Sequence, residues 1–159
     1  MSRRLWPYAV LVGLAAVLSV GLFVAPFGGV GSVLSADQTL IVTDETGEEL
    51  TAVDVADGAE VVIEYEHSVE RTLVRDVYVV SDGKLVMDRM EFSSFGAGLP
   101  SHAEVTQQDG RYVYDIDGQE YGTLRISTGL IADHDLVVDG TRYDLSGMAD
   151  GGTVEIRIR

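Results

Sequence analysis

The sequence predicts an all-β fold: an antiparallel β-sandwich or barrel-like domain of about ten strands, preceded by one N-terminal transmembrane helix. From Asp37 onward, short stretches that alternate apolar and polar residues are separated by aspartate-glycine turns at intervals of roughly eight to twelve residues. No stretch after Val33 repeats its apolar residues with the helical period. The chain has no cysteine, so the stability of an exported domain must come from its core.

The N-terminal segment has the features of a membrane anchor. Ser2-Arg3-Arg4 precedes an uncharged stretch from Leu5 to Ala36, and about 20 apolar residues suffice for a helix to cross a bilayer. Positive charge before the span, with none soon after it, places the N-terminus in the cytoplasm. We therefore expect a cytoplasmic basic region at 1–4, a transmembrane anchor or signal segment at 5–27, a flexible linker at 28–37 and an extracytoplasmic β-domain at 38–159.

Two fates of this leader are compatible with the sequence. The length of the span favours a retained single-pass anchor in the cell membrane. The alternative is a cleaved signal, because Val33-Leu34-Ser35-Ala36 ends in the small residues that signal peptidase prefers. Both place the β-domain outside the cytoplasm.

The charge balance is strongly acidic. Leaving out Arg3 and Arg4, nine bases stand against 26 acids, an excess of 17 negative charges, and Lys84 is the only lysine. Such a chain does not bind nucleic acid or an anionic membrane surface by charge attraction. Because the acids are spread along the chain, they favour a halophilic protein over the alternative of an acidic patch for cationic partners.

The strands follow from the alternation and the turns. Asp82-Gly83, Asp109-Gly110 and Asp139-Gly140 predict tight hairpins. We expect strands at Thr39–Thr43, Glu49–Val55, Glu60–Val69, Val74–Val80, Lys84–Phe92, Ala103–Gln107, Arg111–Ile116, Gly122–Ser127, Leu136–Val138, Thr141–Leu145 and Thr153–Ile158.

The hairpin formed by the third and fourth strands carries one candidate site. His67 falls on the apolar face of its strand and Ser68 on the polar face, whereas Asp76 shares a face with Tyr78. A four-residue turn at 70–73 would place His67 opposite Asp76 and avoid like-charged cross-strand pairs. This register predicts a half-buried His67–Asp76 pair.

Three roles are open for that pair: a structural contact, a ligand-binding or proton-handling pair, and a catalytic dyad with a serine. The sequence has no Gly-x-Ser-x-Gly motif, so we expect no catalytic residues. His67, His102 and a carboxylate lack a recognised zinc spacing, so we expect neither a metal nor a cofactor. Asp133-His134-Asp135 is interpreted as a solvated loop.

A glycine-rich loop forms the second part of the predicted binding site. Phe95, Gly96, Gly98 and Pro100 combine an aromatic ring with backbone that permits close approach and fixes a shape. If the domain closes as a sandwich, this loop should pack beside the hairpin. The basic residues nearest both motifs, which we expect to meet a carboxylate ligand or an acidic partner, are Arg71, Arg75 and Arg89.

These residues resemble a known family. Tyr65-x-His67-Ser68-Val69, followed by Asp76 and Tyr78 and then by Ser94-Phe95-Gly96-Ala97-Gly98-Leu99-Pro100, is similar to the motifs of domain of unknown function 1850. This sequence departs from the family pattern at two positions. It has Leu73 where proline is common, and Asp76 where glutamate is usual.

The resemblance implies a small exported or membrane-anchored protein associated with TRAP-type (tripartite ATP-independent periplasmic) transporters. Partners would be the transporter's membrane subunit or its solute-binding protein. On this basis we expect a non-enzymatic extracytoplasmic accessory or binding module. The alternatives are an exported hydrolase that uses His67 and Asp76, and a purely structural cell-surface domain.

Overall fold

The computed structural model describes residues 37–94, 105–116 and 118–159, which all lie within one compact unit, Ser32–Arg159. This part of the chain is all-β with antiparallel strands, as predicted. Its strands are β1 Gln38–Asp44, β2 Glu49–Val55, β3 Glu60–Glu66, β4 Leu73–Ser81, β5 Lys84–Phe92, β6 Thr106–Gln108, β7 Arg111–Asp115, β8 Glu120–Tyr121, β9 Leu124–Ser127, β10 Asp135–Val138, β11 Thr141–Asp144 and β12 Thr153–Ile158. One helical turn, α1 at Leu145–Met148, follows β11.

The strands form two sheets. The four-stranded sheet has the order β2-β1-β12-β9, and β9 lies at its edge. The eight-stranded sheet has the order β11-β10-β3-β4-β5-β7-β6, with the short strand β8 also paired to β5. Each sheet therefore mixes elements distant in sequence, and the hairpin β3–β4 lies in the middle of the larger one.

The hydrophobic core contains side chains from both sheets. Because side chains alternate along a strand, every second residue reaches this core and its neighbours face outward. Leu40 and Ile156 from the smaller sheet share one buried cluster with Val61, Val80 and Leu85 from the larger sheet. Asp76 and Tyr78 in β4 lie on the face that points to this cluster.

Three of the hairpins close as the aspartate-glycine pairs predict. At Asp82-Gly83 both residues have positive φ, 49° and 74°, which is the backbone of a type I′ turn. Asp109-Gly110 and Asp139-Gly140 share this geometry. Local sequence thus determines the register of the strands on either side of each turn.

The outer face of the larger sheet carries a chain of ion pairs. The Glu64 carboxylate accepts a hydrogen bond from Arg75 at 2.9 Å and another from Arg142. Arg75 also forms an ion pair with Glu91 at 2.8 Å. Burial on its own raises the pKa of Glu91, but the hydrogen bond from Arg89 and the charge of Arg75 hold it below its usual value. These pairs link neighbouring strands across the sheet.

The predicted regions at 1–4 and 5–27 lie outside the described residues, as does the linker up to residue 36. Within the part of the chain that the structure describes, no helix combines the length and apolar character needed to cross a bilayer.

Candidate ligand-binding cleft

The predicted register of the β3–β4 hairpin is wrong. The strands pair Glu64 with Arg75 and Ile63 with Asp76, so β3 ends at Glu66 and the turn comprises residues 67–72. The observed register brings the opposite charges of Glu64 and Arg75 together in an ion pair on the outer face, which the predicted register would keep apart. Asp76 pairs with Ile63, which lies four residues before His67. Four residues of extended strand separate Ile63 from His67 by roughly 13 Å. The expected His67–Asp76 cross-strand pair is therefore wrong.

His67 instead begins the turn. Its N–H donates to the carbonyl of Thr72 at 2.9 Å, and its own carbonyl accepts from Arg71 at 2.8 Å. The ring Nδ1 accepts from the N–H of Glu70 at 3.2 Å. Ser68 is exposed in this turn. The structure thus separates His67 and Ser68 from Asp76 and Tyr78.

The glycine-rich loop lies outside the described residues, and with it the predicted binding residues Phe95, Gly96, Gly98 and Pro100. Ser94, which immediately precedes that segment, lies 3.3 Å from Thr72 between the two hydroxyl oxygens.

The predicted cationic residues are bonded to carboxylates of this chain. Arg71 contacts Glu66 at 2.8 Å, and Arg75 and Arg89 are held in the ion pairs of the outer face. A carboxylate ligand or an acidic partner would have to compete with these internal pairs.

A cleft of about 380 Å³ opens between the two sheets, where the edge strand β9 faces β3 and β4. We call it the inter-sheet cleft. Aliphatic and tyrosine side chains share its wall with charged and polar residues. Its lining residues are Ile63, Tyr65, Asp76, Tyr78, Leu124, Arg125, Ile126, Ser127 and His134.

Asp76 supplies the carboxyl group of this cleft. It lies on the core face of β4, and its Oδ1 is buried with no hydrogen-bond partner within the described part of the chain. Burial raises the pKa of Asp76 to about 6. Near neutral pH the cleft therefore contains a largely ionised carboxylate whose charge is poorly solvated.

Two tyrosines line the cleft beside this carboxyl group. Burial, followed by the charge of Asp76, raises the pKa of Tyr65 to about 12 and also raises that of Tyr78. Both side chains therefore remain neutral at physiological pH. The Tyr78 ring meets Tyr121 edge-on, with centroids 5.9 Å apart.

His134, which precedes β10, completes the polar lining. Its ring stacks on Tyr65 with centroids 5.0 Å apart, and its Nδ1 forms a hydrogen bond with the carbonyl of Thr128. A carbonyl only accepts, so Nδ1 carries the proton. Burial lowers the pKa of His134, outweighing the hydrogen bond to Thr128 and the charges of Asp133 and Asp135, which raise it. The ring is thus neutral at pH 7, and its Nε2 is an acceptor.

His134 is a residue whose role the sequence did not reveal. Its flanking aspartates suggested a solvated loop, but the backbone around it is held by α1. The His134 N–H donates to the Ser146 hydroxyl at 2.8 Å, and the Leu145 N–H donates to the His134 carbonyl at 3.0 Å. The sequence signal for this placement is weak, because α1 is too short to produce a helical pattern.

A second concavity lies where the 67–72 turn meets the loop that precedes β10. Next to this turn, the last residue of β3 is joined to the loop: the Glu66 N–H donates to the Ala132 carbonyl at 2.7 Å. We call this cavity of about 450 Å³ the end groove. Leu130 and Ile131 line it and are 69% and 74% exposed, which is unusual for large apolar side chains. Its lining also includes Leu73 and the charged residues Glu64, Glu66, Arg71, Asp133, Asp135 and Arg142.

The cleft contains a serine, a histidine and an aspartate, but they are not arranged as a catalytic triad. In a triad the aspartate accepts from the histidine Nδ1–H. Here Nδ1 of His134 is bonded to Thr128, and Oδ1 of Asp76 has no partner in the described residues. Nor do those residues contain a group of three or more side chains suited to hold a metal ion.

The fold and the cleft define a class: an all-β domain with a pocket between its sheets that combines aliphatic and tyrosine side chains with charged and polar groups. The chain belongs to the family described as domain of unknown function (DUF1850), whose model matches residues 61–145, more than half of the sequence. This confirms the family resemblance of the motifs. No curated protein and no solved structure matches the chain.

Proposed function

We propose that this protein is an extracytoplasmic, membrane-anchored, non-enzymatic binding module that takes a small polar molecule into the inter-sheet cleft. The observation that carries the proposal is Oδ1 of Asp76, a buried acceptor without a hydrogen-bond partner in a cleft of about 380 Å³. A buried polar atom left unpaired costs roughly 1–3 kcal/mol, and a ligand that donates to it recovers part of that cost. Tyr78 belongs to the same binding surface.

The binding function is tested with metabolites extracted from cells that produce the protein. The extract should raise the melting temperature of the purified domain, and native mass spectrometry should detect a bound small molecule. Ser127→Trp, at the rim of the cleft, should abolish both effects. Thr141→Trp, at an exposed position in β11, is the control. Equal stabilisation of the wild type and Ser127→Trp, or stabilisation of neither, would contradict the proposal.

The proposed partner is the membrane subunit of a TRAP-type transporter, with the solute-binding protein as an alternative. The family resemblance motivates this partner. The exposed Leu130 and Ile131 support a docking role for the end groove, beside the turn that carries His67 and Ser68. Leu130→Asp/Ile131→Asp should prevent co-purification of the full-length protein with the membrane subunit, whereas Glu49→Gln should not. Normal solute uptake in a deletion strain would count against this partnership.

Anchorage by residues 5–27 is the remaining component of the proposal. The apolar length of that segment and the arginines before it support a retained anchor. Mass spectrometry of the N-terminus of the mature protein should find the segment present. An N-terminus close to Asp37 would instead identify a cleaved signal and a secreted domain.

A further inference from the structure

We propose that the inter-sheet cleft selects a small protonated amine, with its ammonium group against Asp76 and its apolar part against Tyr65 and Tyr78. This inference rests on the proposed binding function and specifies the chemical class of the ligand. The cleft offers hydrogen-bond acceptors and aromatic walls, and Arg125, which lines it, is already paired with a carboxylate.

The acceptors come from two elements. Oδ1 of Asp76 on β4 is buried and has no hydrogen-bond partner among the described residues. Nε2 of the neutral His134 ring is the second acceptor, because Nδ1 donates to Thr128. An ammonium group is a donor with several N–H bonds and no lone pair, so it complements acceptors of this kind.

The aromatic walls favour a cation for a separate reason. The faces of aromatic rings carry negative potential and attract ammonium groups within about 6 Å. Tyr65 and Tyr78 both line the cleft, and both remain neutral because burial raises their pKa values. A carboxylate next to tyrosine rings therefore attracts a cation, whereas an anion would be repelled by both.

The cation at the rim does not offset this preference. Arg125 lines the cleft, but its guanidinium is paired with Glu155 on β12. At larger distances the net charge of −15 attracts cations and repels anions. The cavity volume lies near the lower end of the range for small-molecule sites, which suits a compact metabolite.

Three probes of matched size test the class of ligand: benzylamine, benzyl alcohol and benzoate. They share a ring and differ in whether the polar group is cationic, neutral or anionic. Isothermal titration calorimetry at pH 7.5 should show benzylamine binding most tightly. Asp76→Asn should weaken that binding at least about tenfold, because the carboxylate charge is lost. The control Asp54→Asn, an exposed position of β2, removes the same charge elsewhere and should leave the affinity unchanged. A thermal melt of each variant verifies folding.

The pH dependence provides a second, independent readout. Facing Asp76 are Tyr65 from β3, Tyr78 from β4, Arg125 from β9 and His134 ahead of β10. The two tyrosines stay neutral between pH 5 and 7.5 because burial raises their pKa values, and an alkylamine stays protonated in that range. The affinity for benzylamine should therefore rise by about tenfold from pH 5 to pH 7.5, as Asp76 ionises and any protonated His134 becomes neutral.

Three outcomes would overturn the inference. If benzoate binds more tightly than benzylamine and binds better at pH 5, the ligand is an acid and the binding function survives. If benzylamine binds Asp76→Asn as tightly as the wild type, or binds neither protein, the amine site is rejected. The metabolite experiment with Ser127→Trp decides separately whether the cleft binds any small molecule.

Discussion

Asp76 is a carboxylate on the face of β4 that packs toward the core, where apolar side chains are usual. Val74, Tyr78 and Val80 on the same face are all buried. Burial shifts the pKa of Asp76 from an ordinary value of 3.8 to about 6, so ionisation costs more in the folded state than in the unfolded state. Two units of pKa correspond to about 3 kcal/mol, a large fraction of the stability of a small domain. Such a cost is consistent with a carboxylate that binds a ligand through its charge.

Asp76→Asn should therefore change the pH dependence of stability. The raised pKa of Asp76 stabilises the folded state below pH 4, where the group is neutral, and this contribution is lost as pH rises through about 6. Relative to the wild type, the variant should gain roughly 2–3 kcal/mol of unfolding free energy between pH 4 and pH 7.5. Urea denaturation at both pH values measures this difference. A difference that does not vary with pH would contradict the raised pKa.

Some residues of the candidate site could be placed from the local sequence pattern, and others could not. Alternation along β4 correctly placed Asp76 and Tyr78 on one face, because the period of two is a local property. Tyr65 and His134 meet through sheet pairing and through hydrogen bonds to α1, neither of which alters the local pattern. The sequence therefore predicts His67, the histidine nearer to Asp76 in the chain, as the polar partner in the site, whereas the structure places His134 in the cleft.

At the scale of elements, the hairpins differ in how strongly their turns specify the register. Asp82-Gly83 adopts positive φ at both positions and fixes how β4 meets β5, as the sequence predicted. The β3–β4 turn contains no such pair. It is held by hydrogen bonds between His67 and the residues Arg71 and Thr72, and Arg71 has a φ of 54°. Without a turn signature, the register depends on contacts such as Glu64–Arg75, which a pattern of alternation leaves open.

Gly83→Ala should destabilise the domain through its backbone alone. A Cβ at Gly83 would meet nothing within 4 Å, but the φ of 74° is unfavourable for alanine by roughly 1–2 kcal/mol. Gly122→Ala is the matched control, since its Cβ also meets nothing within 4 Å and its φ is not left-handed. We expect a loss of about 1 kcal/mol for the first variant and no loss for the second, measured by urea denaturation. Equal effects would show that the turn does not depend on its positive φ.

Glu64 connects the central strands on the outer face of the larger sheet. Its side chain is 9% exposed and accepts from both Arg75 and Arg142. Glu64→Gln leaves two guanidinium groups without their shared counter-ion, so we expect a loss of about 2 kcal/mol in unfolding free energy. Glu155→Gln is the comparison, because its partner Arg125 is 74% exposed and such pairs contribute less than about 1 kcal/mol. If both variants lose a similar amount of unfolding free energy, the burial of Glu64 does not strengthen its ion pairs.

For the whole molecule, two electrostatic effects act in opposite directions. The ion pairs of the larger sheet attract, but the chain carries 26 acidic and only 11 basic residues, so most carboxylates have no cation available to them. Increasing salt screens both effects. Exposed charges are screened more completely than partly buried pairs, so repulsion should weaken more than attraction. The high-salt interpretation of the sequence makes the same prediction about stability.

The melting temperature should therefore rise when KCl increases from about 0.1 M to about 1 M, as the Debye length falls from about 10 Å to about 3 Å. Differential scanning calorimetry measures the shift. Glu45, Glu48 and Glu49 are exposed around the β1–β2 turn, so the triple glutamine variant removes repulsion without disturbing the core. It should melt higher than the wild type at low salt and gain less from added KCl. If instead salt lowers the melting temperature of the wild type, the ion pairs outweigh the repulsion, and the acidic surface is not an adaptation that depends on screening.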